Sequence, residues 1–433
     1  GSSTATILLS FGGMPAGTNA TGTIAIGSTI TDAAGNALIA TTTTLTDGQS
    51  PLATVSYSKN PVKASDSLII TVTASEPILD SPVLALSLFG ANTLATTTLT
   101  KVSSTQYSFT HTVGAGNGTT TVALGAATDV AGNTIQSAPT TGADFTVDNI
   151  APTASASFSR TPVKGGDSTV ISFTTSEPID AATPLLVSLS GANILAATTT
   201  TRADSTHFSF SYTAGLGDGA ATIVLSGGTD SAGNAITAMP TLSGALTIDN
   251  TAPTITVANP NTAPAHSKTV TATTSDGTLS QSITTGAACN GTLSFSVYAS
   301  ATFSAEADNG KRICYRTEDL AGNVAFLFSD VIAGIDFTPP AITSLALTPS
   351  SGTSKIGDTI TLSVTADAAG YALGSLSING VATTSMRDVG NGVYFATTTI
   401  TSGDTDRASG TVPVAVVFVD AAGNRNATST AVA

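Results

Sequence analysis

Asp129-Val130-Ala131-Gly132-Asn133 is the stretch that decides the fold. Its aspartate can hydrogen-bond the backbone two residues on, and glycine or asparagine tolerates positive φ, so the five residues make a tight turn. The phrase recurs as Asp32-Ala-Ala-Gly-Asn36, Asp230-Ser-Ala-Gly-Asn234, Asp319-Leu-Ala-Gly-Asn323 and Asp420-Ala-Ala-Gly-Asn424. Copies stand about 100 residues apart, too far for a solenoid unit and right for one small domain per copy. A second phrase follows: Val147-Asp-Asn-Ile-Ala-Pro152, Ile248-Asp-Asn-Thr-Ala-Pro253 and Ile335-Asp-Phe-Thr-Pro-Pro340. It marks the joints between repeats.

Working outward, the segments between turns read as short strands. Thr54–Ser58, Ser67–Thr73, Val83–Leu88, Thr96–Val102, Tyr107–Val113, Thr119–Leu124 and a last strand within Thr134–Val147 carry alternating or β-branched residues. Gly/Asn-rich breaks such as Gly114-Ala-Gly-Asn-Gly118 separate them. Seven short strands with a turn signal roughly every ten residues predict an immunoglobulin-type β-sandwich. The fold class is all-β, with tandem sandwiches in an extended rod. The divisions fall at 1–46 (the C-terminal half of a repeat), 47–149, 150–250, 251–337 and 338–433. In 1–46, two strands at Ala5–Phe11 and Gly22–Ile26 and a last one near Ala37–Thr44 are expected. The missing half reads as cut away or supplied by a neighbouring molecule. The last strand of 338–433 is expected to stop soon after Asn426.

Composition narrows the function. Only 10% of the 433 residues are charged, against a typical value of about 25%. A net charge of −14 argues against nucleic acid, which needs a basic face. No apolar run approaches the ~20 residues of a membrane-spanning helix, and no signal peptide or C-terminal anchor is recognisable in this stretch. Two cysteines, Cys289 and Cys314, point to one disulfide and an oxidising compartment, with two unpaired core thiols as the alternative. The disulfide would close a loop of about 25 residues, contributing roughly 3 kcal/mol. His111, His207 and His266 are scattered, the first two at strand positions that read as equivalent. No nucleophile elbow, zinc-protease motif or phosphate loop is present, so no enzyme is expected. Asn19, Asn117, Asn290 and Asn426 begin Asn-x-Thr sequons, which exposed strand residues also explain.

The acids are not scattered. In an immunoglobulin-type sandwich, the loop after the second strand and the hairpin before the last strand emerge at one pole, where the chain enters from the previous repeat. Three series should meet there: the joint acids Asp47, Asp148, Asp249 and Asp336; the acids after the second strand, Glu76, Glu177, Asp276 and Asp367; and the hairpin acids Asp129, Asp230, Asp319 and Asp420. Asp66, Asp167 and Asp358 mark the first turn at the opposite pole. Converging carboxylates repel unless a cation sits among them, and Ca2+ suits such irregular oxygen-rich loops. The same residues also serve as turn chemistry with no metal. Pro51, Pro152, Pro253 and Pro340 follow the joint acids and stiffen the linkers.

The hairpin phrase, Ser-Glu-Pro after the second strand (Ser75-Glu-Pro77, Ser176-Glu-Pro178) and the Asp-Asn-x-Ala-Pro joints together resemble the bacterial immunoglobulin-like repeats of surface adhesins and S-layer-associated proteins. That resemblance implies an extracellular or cell-surface location, a structural spacer role, and other copies or surface-layer and cell-wall components as partners. Calcium at the joints is implied by the same likeness, and by that to cadherins. A self-assembling filament subunit, joined by strand addition, is the competing expectation. A glycan-binding module ranks last, because aromatics are 5% and tryptophan is absent.

Overall fold

The computed structural model describes residues 22–26, 31–37, 41–45, 47–125, 127–407 and 411–432. The expected strand at Ala5–Phe11 lies outside the described residues. The strands Gly22–Ile26 and Thr41–Leu45 pair antiparallel around the Asp32 turn.

Every regular element described is a strand, apart from one 3-10 turn at Glu306–Asp308. In the first full repeat, Ala53–Tyr57, Ser67–Ala74, Gln106–Thr112 and Thr100–Lys101 form one antiparallel sheet in that order. Asp144–Val147, Gly118–Gly125, Ala85–Gly90 and Leu94–Thr98 form the other. The first strand pairs Ala53 with Ala74 and then bends at Asn60, so that Val62 bridges Val147 in parallel on the opposite sheet. This crossing closes the open side of the sandwich. The second repeat repeats it, with Val163 bridging Ile248.

One sequence expectation needs correction. The stretch 96–102 is two strands. Leu99 is buried and donates its N–H to the Leu84 carbonyl, which turns the chain from one sheet to the other. Leu94–Thr98 therefore pairs with Ala85–Gly90, while Thr100–Lys101 pairs with Gln106–Thr112. The last strand of the fourth repeat runs Ser429–Val432, beyond the expected stop near Asn426.

Alternation explains why these segments fold so. In Ser67–Ala74, Leu68, Ile70, Val72 and Ala74 point inward while Ser67, Ile69 and Thr73 face water, the period-two pattern of a half-buried strand. Tyr107 and Phe145 fill the first core, Phe173 and Phe208 the second, Tyr315 and Phe303 the third, Tyr394 and Phe418 the fourth. Each core draws on one repeat only.

The glycine loops are set by close approach. A Cβ on Gly116 would stand 1.8 Å from the Ala91 carbonyl oxygen, and one on Gly217 would stand 1.7 Å from that of Ala192. No side chain fits there.

The third repeat is built more sparely. One of its sheets has three strands, and its buried cluster is the smallest of the four. Cys289 and Cys314 are bonded, with their Cα atoms 5.3 Å apart. The bond ties the loop after Thr278–Thr284 to the central strand Arg312–Glu318.

Candidate metal centre

The hairpin motif builds its own turn. Asp129 Oδ1 accepts the N–H of Ala131 at 2.8 Å and of Asn133 at 2.9 Å, and Asp129 donates its N–H to the Asn133 carbonyl at 3.0 Å. Gly132 sits at φ 91°, a region that costs a side-chain residue dearly. Asn133 closes the device: its Nδ2 donates to Asp129 Oδ2 at 2.8 Å and to the carbonyl of the joint residue Asp47 at 3.0 Å.

The same amide clamp joins Asn234 to Asp148, Asn323 to Asp249 and Asn424 to Asp336, at 2.9, 2.8 and 3.1 Å. Hairpin and joint aspartate are thus held at one pole in every full repeat. The asparagine acts as a clamp through its amide N–H.

The acid after the second strand completes the group in two repeats. Ile78 bridges Asp129 antiparallel, which lays the Glu76 segment along the hairpin. Asp47, Glu76 and Asp129 offer oxygens within 4.8 Å of one another, and so do Asp148, Glu177 and Asp230. Glu76 is 3% exposed and Asp129 2%. Asp129 is spent on the turn, but Glu76 Oε1 and Asp47 Oδ2 are buried with no hydrogen-bond partner.

Burial, followed by the charges of Asp129 and Asp47, pushes the Glu76 carboxyl above its usual value. Burial, Asp148 and Asp230 do the same to Glu177. An orphaned buried carboxylate oxygen costs several kcal/mol. A donor set of oxygens alone, carrying several negative charges, fits a hard cation with irregular coordination.

The other two triplets do not form such a group among the described residues. Asp276 follows its strand as Glu177 does, since Thr274 and Thr175 each donate a hydroxyl to the carbonyl two residues on. Yet Asp276 is exposed, is one methylene shorter, and turns back to accept the Gly277 N–H at 2.6 Å.

Asp367 belongs to a different position. Ser75, Ser176 and Ser275 accept the N–H of Leu52, Thr153 and Thr254. Asp367 Oδ1 accepts that of Ala341 at 3.0 Å in the same way, and the Tyr371 hydroxyl at 2.8 Å. Those two bonds hold its carboxyl below the usual range. The residue matching Glu76 in the fourth repeat is therefore Ala368. Asp249, Asp319, Asp336 and Asp420 keep their clamp without the third carboxylate.

At the opposite pole, Asp66 pairs with Lys59 at 2.9 Å and Asp167 with Arg160 at 2.8 Å, while Asp358 accepts the Lys355 N–H at 2.8 Å. The histidine equivalence is also corrected. His111 Nε2 meets Asn92 Oδ1 at 3.0 Å, the place where the Tyr212 hydroxyl meets Asn193 Oδ1 at 2.6 Å. His207 instead lies exposed against Asp204 at 2.9 Å. Among the sequons, Asn19 lies outside the described residues. Asn426 spends its amide on the backbone of Phe418, Val416 and Ala427.

No protein-family model matches the chain, and no curated protein sequence does. Among solved structures, a tetra-tandem repeat from the extending region of a large adhesion protein is 18% identical over 89% of this chain and 99% of its own, with a TM-score of 0.30. The Escherichia coli adhesin FdeC is 14% identical over 88% of this chain and 95% of its own, TM-score 0.28. The D1–D4 ectodomain fragment of ICAM-5 is 13% identical over 89% and 99%, TM-score 0.28. The chain is a series of tandem immunoglobulin-like sandwiches that resembles bacterial adhesin repeat regions.

Proposed function

We propose that this chain is a non-enzymatic extracellular spacer, the stalk of a surface adhesin or a surface-layer component, whose first two joints are stiffened by Ca2+. Asp47, Glu76 and Asp129 would hold one ion, and Asp148, Glu177 and Asp230 a second. The observation that carries the reading is the pair of three-carboxylate groups at the entry poles of the first two full repeats, one of them with buried, unpartnered oxygens. The ion would supply charge neutralisation and link the joint residue to the sandwich it enters. Asp249, Asp276 and Asp319, and Asp336, Asp367 and Asp420, take no ion in this reading.

The disulfide supports an oxidising location. Calorimetric titration with CaCl2 should show two sites per chain, with affinities in the roughly 10⁻⁴–10⁻³ M range of extracellular modules. A Glu76→Gln/Glu177→Gln variant should show none. Wild-type protein that takes up no calcium at millimolar concentration would overturn the calcium part. Scattering that is unchanged by EDTA would overturn the stiffening.

A further inference from the structure

The hairpin of the second repeat is held from two sides. Asp230 faces Asp148 and Glu177. On its other side, Lys59 Nζ donates to the Ala232 carbonyl at 2.7 Å and Lys63 Nζ donates to the Gly233 carbonyl at 2.5 Å. These are charge-assisted bonds between repeats, spanning 173 and 170 residues of sequence. The first turn that presents the lysines is itself braced. Asp66 Oδ2 accepts Lys59 Nζ at 2.9 Å and the Lys63 N–H at 3.1 Å. The departing chain is sewn to the same turn: Asp148 donates its N–H to the Val62 carbonyl, and Asn149 Oδ1 accepts the Ala64 N–H at 2.6 Å.

The third repeat carries a counterpart. Ala265 bridges Ile335 in parallel as Val62 bridges Val147, which makes His266 the positional equivalent of Lys63. His266 Nε2 lies 2.9 Å from Asn424 Oδ1 in the hairpin of the following repeat, and its ring stacks on Phe337 with centroids 4.8 Å apart. Asn424 Nδ2 is committed to Asp336 and Asp420, so Oδ1 is the acceptor and His266 Nε2 carries the proton.

We infer that the first turn of a repeat is a latch, whose side chain after the bridging residue donates to the hairpin of the next repeat and holds the joint without a cation. The inference rests on the spacer reading only in giving the joint a mechanical task, and it needs no calcium. It assigns Lys59 and Lys63 to the joint after the first full repeat and His266 to the joint after the third. The hairpin of the second repeat then has two separable functions: its aspartate serves the acidic group, and the carbonyls at its tip serve the latch.

The test places spin labels on Ser104→Cys and Ala203→Cys, both exposed, in the full chain, whose own cysteines are bonded to each other. Electron–electron distance distributions are recorded in EDTA. Wild type should give one narrow distance. Lys59→Met/Lys63→Met keeps the side-chain stems and loses the donors, and should raise the open-joint population at least about ten-fold. Lys59→Arg/Lys63→Arg should restore the narrow distance.

Identical distributions for wild type and the methionine variant in EDTA would overturn the latch. So would a wild type already broad in EDTA. Calcium calorimetry on the same proteins reads the acidic groups separately. Absent calcium binding with a broadened methionine variant defeats the calcium proposal and leaves the latch standing.

Discussion

Substituting Glu76 by glutamine isolates the electrostatics of the first acidic group. Its oxygens lie within 4.8 Å of those of Asp47 and Asp129. At that distance two unit charges repel by about 3.5 kcal/mol at an effective dielectric of 20. Salt at ~0.15 M, with a Debye length of about 8 Å, reduces each pair to about 2 kcal/mol. Glu76 takes part in two such pairs, so neutralising it removes about 4 kcal/mol at most. The buried glutamine amide keeps an unpartnered oxygen in the place of Glu76 Oε1, which offsets part of that gain. The net gain in EDTA at neutral pH should therefore be about 1–2 kcal/mol, or about 4–8 °C per kcal/mol for a domain of this size.

Calcium should reverse the order. At 100 times its Kd it stabilises the wild type by about 2.7 kcal/mol, and it should leave Glu76→Gln almost unmoved. Scanning calorimetry of the full chain, with and without CaCl2, follows the transition of the first full repeat. A variant less stable than wild type in EDTA would refute the reasoning, since it would mean that the carboxylate is satisfied as it stands.

Further outcomes follow from the same structure. Glu76 and Glu177 have folded values above the ordinary 4.5. Their contribution is thus fully present below that pH and lost as pH rises through the raised values. Urea titrations in EDTA should find the first two full repeats more stable at pH 5 than at pH 7.5, and calcium should remove that preference. Replacing both cysteines by serine opens a 25-residue separation and should cost the third repeat about 3 kcal/mol, visible as an earlier melting transition confined to it. Asn234→Ala removes the bonds to Asp230 and Asp148 and should destabilise the second repeat by about 2–3 kcal/mol; a change below 0.5 kcal/mol in chemical denaturation would contradict the clamp. Gly217→Ala forces a Cβ against the Ala192 carbonyl at 1.7 Å and should cost more than about 2 kcal/mol by the same assay.

Local chemistry made much of this legible in the residues themselves. The hairpin phrase specifies a turn wherever it stands, because aspartate, glycine and asparagine do their work within five residues. Alternation in Ser67–Ala74 and its counterparts specified strands that bury one face, and the counted turn signals specified a sandwich. What the residues could not convey was register across the fold. Asp367 and Glu76 look alike in a linear alignment, yet one places its carboxylate where a serine hydroxyl stands in the other repeats. A shift of one residue in a strand moves a side chain to the opposite face. Asp276 has the right place and lacks the reach.

The latch was hidden for another reason. Lys59 and Lys63 are ordinary first-turn lysines until folding brings the Ala232 and Gly233 carbonyls beside them, from about 170 residues away. Sequence alone determined the repeating unit, its turns and its strands, since those depend on neighbours in the chain. Only the tertiary structure decided which of the four expected acid triplets close up and which side chains cross a joint, because those depend on register and on distances that loop closure sets.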